Sequence, residues 1–197
     1  CRTDAARQKL ANAFLDATDQ PDDTLVMLDC DHTHPPDVVA RLATRTEGVI
    51  GGLAFKRSPH HEPLWFVRQS DGILRAPAEF EPVVYACDFV ATCAIAIKRW
   101  VFQELRDRGH RLFFKYIYYD NGESNAEDAF FADLCMQAGI QHHVDCSLVI
   151  PHIRNEVVDE NTWADYAAAH PEILSERPIE AAPHSGEEVH TWQHQEQ

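Results

Sequence analysis

The sequence predicts an α/β fold in which a mostly parallel sheet is flanked by helices. Residues 25–28 are apolar without alternation, which is typical of a strand covered on both faces. Helical patterns at residues 4–15 and 37–43 stand on either side of this strand. The strand ends at Asp29 and Asp31, so two carboxylates are expected at the edge of the sheet, where ligands bind in such folds.

Length, charge and cysteine usage limit the kind of protein. A chain of 197 residues suits one soluble globular domain, and no apolar run approaches the ~20 residues of a membrane span. The formal net charge of −15 argues against a nucleic-acid partner, because that binding depends on clustered lysine and arginine. The six cysteines are scattered without C-x-x-C spacing, which indicates buried thiols in a reducing compartment and predicts a cytoplasmic protein.

A second buried strand is predicted at residues 49–55. Its paired glycines, Gly51 and Gly52, would let a ligand approach the backbone closely. The proline-rich residues 56–82 are the least regular stretch, and a long irregular insertion in a compact domain is usually functional or mobile.

The apolar residues 83–97 predict one or two buried strands with a break at Asp88. A helix follows at residues 98–105, and the aromatic residues 113–119 are predicted to be extended.

A well-delimited helix is predicted at residues 124–140, and a last strand ends on His152. Ser124 and Glu127 have the spacing of a capping box, which is a structural explanation for Glu127. Asp128 has no such explanation, although any acid in a first turn gains from the helix dipole.

The chain is predicted to divide into three parts. Residues 1–154 form the α/β domain, residues 155–182 a C-terminal helical extension, and the polar residues 183–197 a disordered tail.

Taken in order, these features resemble the GT-A-fold glycosyltransferases, closest to the family-two type. The resemblance covers roughly residues 7–152 and rests on several short motifs in the right order. They are the strand with Asp29-x-Asp31, the Pro-Pro-Asp at 35–37 before a helix, Gly51-Gly52, the apolar run to Ile97-Lys98-Arg99, Glu127-Asp128 before Phe131, Gly139-Ile140, and the strand that ends at His152.

The resemblance implies a nucleotide-diphosphate-sugar donor, with uridine or guanosine as the nucleoside, and a saccharide, protein or small-molecule acceptor. It implies that Asp29 and Asp31 bind the donor and a divalent metal, Mn²⁺ or Mg²⁺, and that His152 completes the metal shell. Asp128, paired with Glu127, matches the general base of inverting members.

Further donor contacts follow from the same resemblance. Arg7 lies where members often carry a basic residue near the nucleotide, although a solvated helix face explains it equally well. Gly51, Gly52 and Asp88 would contact the donor sugar. Retention or inversion of the sugar is left open, with the placement of Asp128 favouring inversion.

One departure from the family concerns the start of the chain. Members open with a strand–helix–strand unit that binds the nucleoside, and such a unit takes about 30 residues or more. Here the Asp29-x-Asp31 strand comes too early for it. We therefore expect that the first nucleotide-binding strands are missing, and that a partner or another segment completes the nucleotide site.

Three alternatives share the opening motif. In a haloacid-dehalogenase-like phosphatase Asp29 would be the nucleophile and Asp31 the acid; Lys115 is available, but the later acidic loop is not evident. His32-x-His34 also occurs in metal-dependent hydrolases built on a TIM barrel, for which the chain is short. A non-catalytic sugar-nucleotide-binding or scaffold domain is the third.

Overall fold

A computed structural model describes residues 2–119, 124–153 and 157–172 as a mixed α/β fold. A five-stranded central sheet is accompanied by three smaller sheets and by helices on both of its faces. In chain order the elements are α1 (Thr3–Ala17), β1 (Thr24–Leu28), α2 (Val38–Ala43), β2 (Val49–Ala54), β3 (Trp65–Arg68), β4 (Leu74–Arg75), β5 (Val84–Cys87), β6 (Phe89–Val90), β7 (Ala94–Lys98), α3 (Arg99–Asp107), β8 (Ile117–Tyr118), β9 (Ser124–Asn125), α4 (Glu127–Gln137), β10 (His142–Ile150), β11 (His152–Ile153), β12 (Val157–Val158) and α5 (Glu160–Ala169).

The central sheet has the order β1-β7-β2-β10-β5 and is mostly antiparallel. Only the β2–β10 pair is parallel, so the prediction of a mostly parallel sheet is wrong. The prediction failed because a continuous apolar run shows burial on both faces and carries no information on strand direction. Residues 83–97 contribute two sheet strands, β5 and β7, that run against the others.

Three strands of this sheet nevertheless run in the same direction. β1 and β2 are both antiparallel to β7, and β10 is parallel to β2. The carboxyl ends of β1, β2 and β10 therefore lie at one edge of the sheet, and the segments that follow them meet there. We call this edge the site edge.

Apolar side chains pack on both faces of the sheet. On one face, α1, α3 and α4 contribute Ala11, Phe102 and Phe131 to a core cluster. On the other face, Val38 and Leu42 of α2 pack in a second cluster. Full burial of a large apolar side chain stabilises a fold by about 1.5–3 kcal/mol, so these helices are firmly held against the sheet.

The predicted C-terminal extension packs on the same core as the rest of the chain. Within residues 155–182, α5 places Trp163 and Ala167 in the cluster formed with α1, α3 and α4. The tail predicted at residues 183–197 lies outside the described residues. None of the helices that the structure describes is long and apolar enough to cross a membrane.

Candidate functional site

The loop after β1 is fixed beside the end of β10 at the site edge. The backbone N–H of Ile153 donates to the carbonyl of Asp31 at 2.8 Å. His32 and His152 form an isolated antiparallel bridge, and their imidazole centroids are 3.8 Å apart. Two segments 120 residues apart in sequence thus bring an acidic and two imidazole side chains together.

Asp31, His32 and His152 form a group that could hold a metal ion. One potential ligand atom from each lies within 4.8 Å of the others. Nε2 of His152 is 3.5 Å from Asp31 Oδ2, and Nδ1 of His32 is 3.0 Å from Asp31 Oδ1. His152 Nδ1 is 2.9 Å from the carbonyl oxygen of Phe55, which can only accept, so this nitrogen carries the proton and Nε2 offers a lone pair.

Arg57 occupies the space between two members of this group. Its guanidinium donates to Oδ2 of Asp31 and lies 3.0 Å from Nε2 of His152. Arg57 follows β2 closely and so reaches the site edge from a third strand. A positive charge therefore already stands where a cation bound to Asp31 and His152 would be held.

Burial and charge set the protonation of this group. Burial, together with the nearby His152, lowers the pKa of His32 to about 4. Burial alone would raise the pKa of Asp31, but the electrostatic influence of its neighbours His32, His152 and Arg57 lowers it overall. At neutral pH the group therefore consists of a neutral His32 and an ionised Asp31, which are the forms that bind metals.

Asp29 has a different partner from Asp31. Nη2 of Arg7 donates to both carboxylate oxygens of Asp29 at 2.7 Å, and Nη1 donates to Glu127. Burial raises the pKa of Asp29, and the charge of Arg7 opposes that shift. Arg7 thus ties the end of β1 to the first turn of α4.

The environment of Arg7 differs from a solvated helix face. Arg7, Ala11 and Leu15 recur every four residues on the buried face of α1, so the guanidinium points into the protein and not from a solvated helix face. The guanidinium contacts both Asp29 and Glu127. The capping-box explanation of Glu127 is wrong, because the residue before α4 is Ala126 and makes no side-chain cap.

Asp128 lies half-buried in the first turn of α4. Its Oδ1 accepts from the backbone N–H of Ala129 at 2.8 Å. Burial, followed by the charge of Glu127, raises the pKa of Asp128. Arg7 joins Glu127, the residue before Asp128, to Asp29, so Asp128 lies near the end of β1.

Gly51 and Gly52 serve packing inside the sheet. A Cβ at Gly51 would lie 2.6 Å from a methyl group of Val90, and one at Gly52 would lie 2.6 Å from Ile150 Cγ1. Both positions are buried within β2, before its carboxyl end. The paired glycines thus let neighbouring segments approach the strand closely. This packing explains why glycine is needed at both positions without a contact to a donor sugar.

Asp88 lies away from the other predicted residues. It follows Cys87, the last residue of β5, which pairs with His142 at the beginning of β10. His152 lies beyond the other end of β10, so Asp88 is at the opposite edge of the sheet. Its Oδ2 accepts from the backbone N–H of Arg68 at 2.7 Å, which joins the end of β3 to the connection between β5 and β6.

Sequence reasoning did not assign three residues of this region. His32 was considered only as half of a His-x-His pair, yet it directly follows the Asp-x-Asp motif. Arg57 follows β2 and reaches the site edge because β2 runs in the same direction as β1. The sequence does not show the direction of a strand, so it could not predict this position. Cys93 lies beside Asp29 because β1 and β7 pair, with Leu28 opposite Ala94.

No family model matches the chain, and no curated protein matches it. Among solved structures, the chain is similar to A197 from STIV, with a TM-score of 0.51 and 16% sequence identity. The match covers 81% of this chain and 73% of that chain. At this level of identity the likeness concerns the fold alone.

Proposed function

We propose that the chain is a metal-dependent glycosyltransferase of GT-A-like fold that moves a sugar from a nucleotide-diphosphate donor to an acceptor hydroxyl. The observation that carries the proposal is the meeting of Asp31 and His152, beside His32, at the site edge, to which Arg7 also holds the first turn of α4. A metal-binding group on one side and a carboxylate of raised pKa on the other are the two parts that such a transfer needs.

The donor set fits manganese better than magnesium. Asp31 supplies a carboxylate, and His152 supplies the imidazole nitrogen Nε2, 3.5 Å from Asp31 Oδ2. Magnesium strongly prefers oxygen ligands, whereas a mixed nitrogen and oxygen set is suited to transition metals. When bound, the ion would supply positive charge for the leaving diphosphate. Arg57, which contacts Asp31 and His152, would give way to the ion there and would then contact the diphosphate.

The proposed general base is Asp128. Burial raises the pKa of this carboxyl, which makes it a better proton acceptor from a sugar or serine hydroxyl than a solvated aspartate. Its position in the first turn of α4 is fixed, because Arg7 holds the preceding residue, Glu127, to the end of β1. A base opposite the metal side favours inversion at the sugar.

The edge strand β1 fits the expectation of an additional nucleotide-binding wall. Within residues 2–119, 124–153 and 157–172, β1 has a neighbouring strand, β7, on one side only. Its other edge offers backbone groups to which a strand from another segment or a partner can add. We place the nucleoside beside this edge, next to Asp29.

The phosphatase alternative has less support. Its nucleophile would be Asp29, which is paired with Arg7, and the later acidic loop of such phosphatases is not evident in the sequence. A scaffold domain that binds sugar nucleotides without turning them over remains the second candidate. Metal-dependent turnover separates these candidates, because a scaffold has none and a phosphatase releases phosphate without a sugar acceptor.

The test measures transfer from UDP- and GDP-sugars with and without Mn²⁺, for the chain together with any segment that completes the nucleotide site. Asp31→Asn should abolish metal-dependent transfer and leave the fold intact. Asp128→Asn should lower kcat more than it raises KM, because it removes a group needed in the transition state. Asp37→Asn is the matched control, since Asp37 is an exposed carboxylate of the same loop. Full turnover in Asp31→Asn would refute the proposal.

A further inference from the structure

We propose that Cys93, His32 and Asp29 form a second cation site, suited to zinc, beside the group formed by Asp31 and His152. A sulfur, a ring nitrogen and a carboxylate oxygen of these residues all lie within 4.8 Å of one another. The site is independent of sugar transfer, because it rests on the pairing of β1 with β7. The backbone N–H of Asp29 donates to the carbonyl of Cys93 at 2.8 Å, which fixes the two residues side by side.

His32 is oriented as a metal-binding histidine. Its Nδ1 is 3.0 Å from the Asp31 carboxylate, which accepts the Nδ1 proton and leaves the lone pair on Nε2. Nε2 is buried and has no hydrogen-bond partner among residues 2–119, 124–153 and 157–172, and His32 as a whole is only 6% exposed. A carboxylate behind a ligating imidazole is the usual way in which proteins fix the tautomer and raise its basicity. Nε2 is then the nitrogen left for an ion beside Cys93.

The ligand types select zinc over the ion of the neighbouring group. Thiolate together with imidazole is preferred by zinc, whereas a soft thiolate is a poor ligand for magnesium and manganese. Three protein ligands with a fourth position left open are a common zinc arrangement. Although Arg7 contacts both oxygens of Asp29, a carboxylate has about four lone-pair sites, so one remains for an ion.

Charge around the thiol also favours a cation. Asp29, Glu127 and Asp128 lie in this region, and Arg7 is the basic residue that contacts two of the three. Burial raises the pKa of the Cys93 thiol, and Asp29 and Asp128 add to the shift, so the thiol is protonated at neutral pH. Zinc binding therefore exchanges the thiol proton for the ion: the S–H bond breaks, the sulfur lone pair binds zinc, and one proton is released to the buffer.

Cobalt titration tests the site, because a cobalt–thiolate bond gives a charge-transfer band in the near ultraviolet. We expect one equivalent of Co²⁺ to produce this band and Zn²⁺ to remove it by displacement. Cys93→Ser should abolish the band, with a loss of zinc affinity of about 10-fold or more. Two variants are controls that should keep the band: Cys135→Ser, a buried thiol of α4, and Cys30→Ser, an exposed thiol of the same loop.

A third variant separates this site from the proposed catalytic metal. His152→Ala should weaken Mn²⁺ binding and leave the cobalt band unchanged, so failure of one proposal does not imply failure of the other. A band that persists in Cys93→Ser, or disappears only in Cys30→Ser, overturns the inference. If Cys93→Ser does not fold, X-ray absorption of the zinc-loaded unmodified protein decides: we expect one sulfur at about 2.3 Å, and a shell of nitrogen and oxygen alone overturns the site.

Discussion

Two arginines each hold one carboxylate of the Asp29-x-Asp31 pair, in contrasting surroundings. Arg7 pairs with Asp29 and Glu127, and the three side chains are 8%, 29% and 4% exposed. Arg57 pairs with Asp31, and these side chains are 45% and 48% exposed. Each cluster pairs an arginine with an aspartate. The two aspartates lie close together in the loop after β1, whereas their arginine partners come from different parts of the chain.

The difference in burial gives the two carboxylates of the Asp29-x-Asp31 motif different roles. A buried ion pair cannot exchange its partner without leaving an uncompensated charge, whereas an open pair loses little when water or another ion replaces the partner. The Arg7 cluster is therefore a structural connection between β1 and α4. The Arg57 cluster is the exchangeable one, and there a metal or diphosphate would bind.

The largest expected effect is on stability, in the buried cluster. Arg7→Met should destabilise the fold by about 3–5 kcal/mol, because it leaves two buried carboxylates without a counter-charge. Urea unfolding measures this difference. The matched control is Arg57→Met, for which we expect about 0–1 kcal/mol. Equal losses in the two variants would show that the clusters do not differ in this way.

The second effect is on metal affinity, in the open cluster. Arg57→Met should tighten Mn²⁺ binding by about 5-fold, since it removes a competing positive charge worth about 1 kcal/mol. Titration calorimetry measures the affinity. The control is Arg41→Met, which removes a partly exposed arginine that is paired with Asp145. Weaker binding in Arg57→Met would mean that Arg57 supports the ion and does not compete with it.

A third expectation concerns pH and the buried imidazole between the clusters. His32 has a pKa of about 4 in the fold against an ordinary value of 6.5, so between these values the unfolded chain binds more protons. The unfolding free energy should therefore fall as the pH is lowered from 6.5 to about 4. His32→Asn should flatten this part of the curve, measured by urea unfolding at several pH values. An unchanged slope would contradict the assignment.

The smallest effect is expected at Asp88, which belongs to neither cluster. Asp88→Asn should leave Mn²⁺ affinity unchanged and alter stability by no more than about 1 kcal/mol, because it weakens one hydrogen bond to the backbone. The same titration and unfolding experiments measure both quantities. A clear loss of Mn²⁺ affinity in Asp88→Asn would contradict the position of Asp88 after β5, at the opposite edge of the sheet.

Some features of the fold were predictable from the sequence. The apolar run that ends at Asp29 indicated a strand, and β1 is one, although at the edge of the sheet it is mostly half-buried and not covered on both faces. The break at Asp88 between two strands was predicted and is confirmed. Helix α4 was predicted close to its actual bounds from its hydrophobic pattern and the glycine that follows it. These features depend on local periodicity and chain-breaking residues, which the sequence carries directly.

Only the tertiary structure decided strand direction and the partners of each charge. An apolar strand is equally well buried in either direction, so the mostly antiparallel sheet was not visible in advance. The sequence identified Asp29 and Asp31 as a pair, yet long-range packing gives one to Arg7 and the other to Arg57, His32 and His152. A local pattern determines which residues stand at the end of a strand, but their protonation and binding partners depend on residues that the fold brings from elsewhere.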